Sequence, residues 1–268
     1  MDHEQVGQYW NANADVWTKL SRAGYDVHRD HLNTPAFLEM LPDVTGRSGL
    51  DIGCGEGHNT RMLARRGARM TAVDIAETFI GHAMAEEQRQ PLGIEYRVAS
   101  AVALPFPDGA FDFATAFMSF MDIPETAKVM SEAYRVLKPG AFLQFSICHP
   151  CYDTPHRRAL QDATGKTYAL EIGDYFRNQQ GEIEEWLFSD APAETTAGLP
   201  RFQIPRFTRT LSQWVNGLLD AGFTLDRLGE PKPGDDAVRA HPRLQETQAV
   251  AYYLHVRAKK PGPAPLAE

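Results

Sequence analysis

Three glycines and one aspartate carry the most specific chemistry in this sequence. In Leu50-Asp51-Ile52-Gly53-Cys54-Gly55-Glu56-Gly57 the glycines alternate between an apolar run and a helix-forming stretch. Glycine reaches backbone angles that other residues resist, and its missing side chain lets a ligand approach the main chain. N–H groups at the start of the following helix lack intrahelical acceptors and can serve as donors. Asp74 closes the next apolar run, where a carboxylate can accept both hydroxyls of a ribose. The pairing predicts a nucleoside site at the open end of a sheet.

The glycine spacing narrows the choice of nucleoside. A nicotinamide-dinucleotide fingerprint requires glycine or alanine at the sixth position of G-x-G-x-x-G, and that position is His58. Asp51 and Glu56 add negative charge around the loop. Those charges would repel a diphosphate and suit a ligand bearing an ammonium and a sulfonium. S-adenosyl-L-methionine is therefore expected in preference to a dinucleotide.

Such a loop needs a strand before it and a helix after it. Strand signals fall at 48–52, 69–73, 94–99, 111–117 and 141–147, with helical stretches at 58–66, 76–90 and 125–137 between them. This alternation predicts a parallel sheet covered on both faces. A helix at 211–221 and strands at 223–228 and 250–256 complete it. Residues 1–45 read as a helical leader whose Tyr9, Trp10, Val16, Trp17 and Leu20 share one face. Tyr9, Trp17, Tyr25 or His28 could line a ligand site. The 46–258 segment is expected to be the main domain, with 150–207 a cap inserted beside the strand ends, because it is too long for an ordinary loop. The tail at 259–268, with three prolines, reads as a flexible end.

The motifs extend further. The chain resembles the class I S-adenosylmethionine-dependent methyltransferases, especially their small-molecule group. The resemblance rests on Leu50 to Gly57, Ala72-Val73-Asp74-Ile75, Leu104-Pro105-Phe106-Pro107-Asp108-Gly109 with Phe111-Asp112, and Arg135-Val136-Leu137-Lys138-Pro139-Gly140. It covers about residues 45–147. It implies a Rossmann-like α/β fold with a mostly parallel seven-stranded sheet whose last strand is antiparallel. It also implies that Asp51, Gly53 and Gly55 face the methionine portion, Asp74 the ribose and Ile75 an adenine face. Phe117 would sit at the fourth strand end, near the ammonium. Where the family often has an aspartate for the adenine amino group, this chain has Ser100-Ala101, and a serine hydroxyl can accept that bond without a charge.

A sulfonium is already a good electrophile, so transfer requires alignment and, for a hydroxyl or amine acceptor, a destination for a proton. His149, just past the fifth strand, is the candidate base, since imidazole titrates in the useful range. The competing reading has it tying Pro150 and the cap in place. His28 and Tyr25 are weaker candidates on the leader, and Asp122, after the fourth strand, could instead orient a donor or a helix start. Cys148, His149, Cys151 and His156 lack the two separated ligand pairs of a zinc module, so no metal is expected. Tyr168, Tyr175, Phe176, Trp186 and Phe202 are candidate pocket walls, and Arg206 and Arg209 could meet an acidic acceptor.

Composition bounds the partners. The chain has 268 residues, 43% of them hydrophobic, and 27 Lys and Arg against 35 Asp and Glu, a formal net charge of -8. No basic run suits a phosphate backbone, which makes nucleic acid an unlikely partner. Nothing has the length of a membrane span or the form of a signal peptide, so a cytoplasmic protein without integral membrane association is the expectation. A small or medium organic methyl acceptor is the expected partner, while the oligomeric state is undetermined. A protein or RNA methyltransferase is the enzymatic alternative, and a non-enzymatic S-adenosylmethionine sensor is the alternative outside enzymes.

Overall fold

A segment with apolar residues on both faces belongs in the middle of a sheet, and 142–147 is apolar at every position except Gln144 and Ser146. The computed structural model describes residues 1–262 and places this segment in β5 (Leu137–Cys148), with Leu143, Phe145 and Ile147 fully buried. The other strands of the sheet are β1 (Ser48–Ile52), β2 (Arg69–Asp74), β3 (Glu95–Val98), β4 (Phe111–Phe117), β10 (Thr224–Gly229) and β11 (Tyr253–Lys259). Their order is β10-β11-β5-β4-β1-β2-β3. Pairings among β1 to β5 are parallel, whereas β11 runs antiparallel to both β5 and β10. The Rossmann-like, mostly parallel seven-stranded sheet is thus present. All the parallel strands end at the same edge, and the site forms there.

Helices α3 (His58–Arg65), α4 (Glu77–Arg89) and α5 (Thr126–Val136) cross between the parallel strands, and α7 (Leu211–Asp220) precedes β10. Each follows its apolar spacing: α5 buries Val129, Met130, Ala133 and Val136, one stripe along the helix. Side chains of this size contribute roughly 1.5–3 kcal/mol each when removed from water.

The leader comprises α1 (His3–Arg22), a π-helical turn (Arg29–Asn33) and α2 (Thr34–Met40). Asp2 and Gln5 form a reciprocal capping box that starts α1. Polar groups on the sheet fix where the leader sits. Gln144 donates to the Phe37 carbonyl at 2.7 Å, Asn33 donates to Ser146 Oγ at 3.2 Å, and His255 Nε2 lies 2.6 Å from Asn33 Oδ1. Burial lowers the His255 pKa to about 4, so it stays a neutral hydrogen-bonding group.

Residues 150–207 form two antiparallel hairpins, β6 (His156–Gln161) with β7 (Thr167–Gly173) and β8 (Glu182–Trp186) with β9 (Phe202–Arg206), plus the short helix α6 (Ala193–Thr196). The second hairpin joins α1 directly. Asn13 donates to the Gln203 carbonyl at 3.0 Å and accepts from the Gln203 N–H at 3.1 Å. Trp17 packs against Trp186, Phe188 and Phe202 at centroid distances of 5.5, 4.9 and 4.8 Å. Leader and cap therefore share a core.

Two expectations shift. The last strand begins three residues later than the 250–256 reading, because pairing with β5 runs from Tyr253 opposite Cys148 to Lys259 opposite Phe142. Lys259 and Lys260 are therefore not a flexible end: Lys260 donates from Nζ to the Tyr134 and Leu137 carbonyls at 2.8 Å each. Residues 263–268 of that tail lie outside the described residues. The sequence reading also missed α8 (Asp235–Ala240) and the 3-10 turn Pro242–Gln248, which buries Leu244 against Val27, Leu32 and Tyr253.

Candidate active site

The chain turns sharply where β1 meets α3. Gly53, Gly55 and Gly57 all have positive φ, of 73, 55 and 85 degrees. Asp74, at the tip of the neighbouring strand, accepts from the Gly55 N–H at 2.8 Å and the Ala76 N–H at 2.9 Å, one on each carboxylate oxygen. These bonds orient the carboxylate and leave one further lone pair on each oxygen. Burial raises its pKa, opposed by the backbone bonds from Ala76, Gly55 and Ile75.

A cavity opens over this turn. Its walls bring together Gly53, Gly55, Asp74, Ile75, Ser100, Ala101 and Phe117, which the sequence reading assigned to the cofactor. Ile75 forms the floor beneath α1, so close that a Cβ on Gly7 would meet its side chain at 3.0 Å. Ser100 lies beside Ala99 and Ala101, and its Oγ accepts from the Val102 N–H at 3.3 Å. Its hydroxyl proton and remaining lone pair are thus available to a base edge.

Asp51 is not brought to this cavity. It is 2% exposed, and its two oxygens accept from Thr60 Oγ1 at 2.5 Å and Thr115 Oγ1 at 2.8 Å. Burial pushes its pKa up to about 6, against the pull of those hydroxyls. It braces β1, α3 and β4 instead. Glu56 does line the cavity, but it is paired with Arg22 at 3.1 Å and Arg29 at 3.7 Å from the leader. The negative charge expected around the loop is therefore largely tied up in tertiary contacts. Of these three carboxylates, Asp74 lines the cavity with its oxygens held by backbone N–H groups.

A second cavity lies between leader and cap. Tyr25, His28 and Trp17 line it from the leader, Trp186 and Arg206 from the cap, and Tyr252 and Tyr253 from β11 and its approach. Tyr9 lines neither cavity. Of the other cap aromatics, Tyr168 and Phe176 are exposed, Phe202 is buried in the shared core and Tyr175 accepts from the Leu211 N–H at 2.9 Å. Arg209 stacks on Trp214, 5.4 Å from its ring centre, and donates to the Ile123 carbonyl at 2.8 Å.

His149 also lies outside both cavities. It is 6% exposed, with Nε2 3.0 Å from Glu230 and Nδ1 accepting the Cys151 N–H at 3.1 Å. Both ring nitrogens are thereby occupied, which fits the competing reading of His149 as a tie for the start of the cap rather than a base. Among the described residues, no three His, Cys, Asp or Glu side chains group to hold a metal ion.

Asp122, read from the sequence only as a group that could orient a donor or a helix start, lines both cavities. Burial pushes its pKa from the ordinary 3.8 up to about 7. A raised folded-state value means the protonated folded form is favoured, so ionisation costs stability progressively from about pH 4 to pH 7 and fully above. Asp122→Asn should therefore stabilise the ligand-free protein by roughly 2 kcal/mol at pH 8 and by clearly less at pH 5. Chemical denaturation at the two pH values measures this, and an equal effect at both would contradict the burial cost.

Comparison with known proteins agrees with this geometry. The methyltransferase domain family matches residues 50–145. These residues thus form a methyltransferase domain, and the chain as a whole is similar to S-adenosylmethionine-dependent methyltransferases. A solved S-adenosylmethionine dependent methyltransferase from Mesorhizobium loti is 27% identical, with a TM-score of 0.68 over 84% of this chain and 96% of that one. A ubiquinone biosynthesis O-methyltransferase from Pseudomonas entomophila is 27% identical over 54% of this chain and 63% of its own length. A demethylmenaquinone methyltransferase from Thermus thermophilus is 38% identical over 48% of this chain and 58% of its own length. The chain thus spans about three fifths of those curated relatives. The residues present fit S-adenosylmethionine: Asp74 has carboxylate lone pairs left over for hydroxyl donors, Ile75 an apolar side chain, and Gly55 a position where a Cβ would meet nothing within 4 Å. No helix of the described residues is long and apolar enough to cross a membrane.

Proposed function

We propose that this chain binds S-adenosyl-L-methionine in the cavity over the glycine turn and transfers its methyl group to a small or medium organic acceptor in the cavity beside it. One observation carries this reading: the two cavities meet, sharing Trp10, Trp17, Met118 and Asp122 as walls. A cofactor pocket alone would suit a sensor, whereas a second cavity that shares its walls supplies room for an acceptor to be aligned with the methyl group.

The bound cofactor supplies an electrophilic methyl group, and this chain's own residues supply placement. Asp74 would hold the ribose, Ile75 and Ser100 the adenine, and the backbone at Gly53, Gly55 and Phe117 the methionine end. Trp17, Trp186 and Tyr252 would wall the acceptor and keep bulk water out. The net charge of -8 disfavours an RNA acceptor, and the aromatic walls from leader and cap suit a small organic one. One curated relative is named a ubiquinone biosynthesis O-methyltransferase and another a demethylmenaquinone methyltransferase, in keeping with a small acceptor.

Calorimetry with S-adenosyl-L-homocysteine tests the cofactor assignment directly. Binding in the micromolar range is expected for a pocket of this kind. A folded protein that takes up neither the homocysteine nor the methionine form would overturn the proposal.

A further inference from the structure

The two cavities share two carboxylates, Asp26 and Asp122, and these are held differently. Asp26 accepts from the Arg29 N–H at 3.2 Å and has the Arg29 guanidinium 3.8 Å away. The Asp122 carboxylate is in a residue only 6% exposed, yet among the described residues no group donates a hydrogen bond to it. A buried carboxylate without a donor is costly unless something else makes use of it.

Its placement is built into the backbone. At the end of β4, Met118 adopts φ of 54 degrees, a left-handed conformation unfavourable for a side chain of this kind. The turn is pinned on three sides. Met118 N–H donates to the Ser146 carbonyl at 2.9 Å, Ser119 Oγ to the Ile52 carbonyl at 2.6 Å, and Asp122 N–H to the Ser119 carbonyl at 3.1 Å. Strain of this kind persists where surrounding contacts over-determine it, and here those contacts deliver one carboxylate to the junction.

The neighbouring charges are already committed. Cys148 of β5, Asp153 after it, Arg206 of β9 and Arg209 behind it surround Asp122, while Asp26 and Arg29 face the same space from the leader. Arg206 is paired with Asp153 and lies 3.4 Å from Glu184. Arg209 is bonded to the Ile123 and Pro124 carbonyls at 2.8 and 3.1 Å. Neither arginine bonds to Asp122: burial outweighs the pull of their charges and holds its pKa near 7, about half protonated at neutral pH.

Building on the methyl-transfer reading above, we propose that Asp122 is the catalytic base that removes the proton from the acceptor's hydroxyl or amine. A bond forms between the acceptor atom and the methyl carbon while the sulfur–methyl bond breaks. That electron pair stays on sulfur, which becomes a neutral thioether, and the acceptor's proton ends on the Asp122 carboxylate. The charge lost from the sulfonium is thereby matched by the charge lost from the carboxylate, within one buried space.

The test begins with a readout that needs no acceptor. A sulfonium at the junction should drive the Asp122 proton off, so S-adenosyl-L-methionine should release roughly half a proton at pH 7. The neutral S-adenosyl-L-homocysteine should release close to none. Calorimetry in two buffers of different ionisation heat measures both. Release should vanish in Asp122→Asn and persist in Asp26→Asn. Unchanged release in Asp122→Asn, its loss only in Asp26→Asn, or no release by the wild type overturns the assignment. Turnover is then read as S-adenosyl-L-homocysteine formed with a catechol, a phenol and a primary arylalkylamine as probes. For any probe that is methylated, Asp122→Asn should lower kcat about 100-fold with little change in KM and remove the rise of kcat near pH 7. A kcat within about threefold of wild type, or a loss confined to KM, rejects a base. Failure of the wild type to bind S-adenosyl-L-homocysteine would instead overturn the cofactor reading on which this rests.

Discussion

Asp74→Ala should lower affinity for S-adenosyl-L-methionine and S-adenosyl-L-homocysteine alike by about 100- to 1000-fold. On the proposed reading the Asp74 carboxylate holds the ribose, and its placement follows from two backbone donors rather than from a mobile side chain. Removing it deletes both ribose acceptors and leaves the Gly55 and Ala76 N–H groups without partners. Losses of charged hydrogen bonds at roughly 1.5–3 kcal/mol each, partly shared, give that range. Asp74→Asn should fall between, since its amide can accept from one N–H but must point a donor near the other. Titration calorimetry on folded variants measures this, and wild-type affinity in Asp74→Ala would remove Asp74 from the cofactor site.

Gly53→Ala should damage fold and site together. Its φ of 73 degrees is already unfavourable for alanine, and the new Cβ would lie 2.4 Å from Ser119 Cβ and 2.7 Å from Ser119 Oγ. Ser119 cannot retreat without breaking its 2.6 Å bond to the Ile52 carbonyl, which also anchors the strained turn at Met118. We expect a loss of roughly 3–5 kcal/mol in stability, from strain added to overpacking. Gly55→Ala provides the matched comparison. It shares a positive φ, of 55 degrees, but a Cβ there meets nothing within 4 Å, so it should cost only about 1 kcal/mol. Urea denaturation of the pair distinguishes them. Equal losses would mean that backbone angle alone, and not the approach of Ser119, requires glycine at position 53.

The difference between those two glycines shows why some of this site was legible and some was not. Alternating glycines after an apolar run announce a turn, because the conformational demand is local. That Ser119, 66 positions further along, fills the space beside Gly53 is a long-range fact that no local pattern carries. Asp74 was legible for the same local reason: it ends a strand, and strand ends at one edge of a parallel sheet converge. Asp51 occupies an equally suggestive place, yet Thr60 and Thr115 claim both its oxygens. Glu56 likewise meets Arg22 and Arg29, which come from a leader that sequence spacing could not dock.

His149 and Asp122 make the same contrast on the chemical side. Residue type favoured His149, since imidazole titrates near neutrality by itself. Burial brought a carboxylate into that range and left the histidine tied to Glu230 and the Cys151 N–H. The signal that could have raised Asp122 earlier is its place just after β4, in a short stretch between the sheet edge and α5, where a side chain can turn back over the strand ends.

By itself, the sequence determined the strand–helix alternation, the glycine turn, Asp74 at the neighbouring strand tip and the family those motifs belong to. These are set by periodicity and backbone preference within a few residues. Only the tertiary structure decided which charges remain free, which aromatics line a cavity rather than a core, and that a second cavity shares Asp122 with the first. Those outcomes depend on burial and on partners brought from leader, sheet and cap, and burial exists only once the chain has packed.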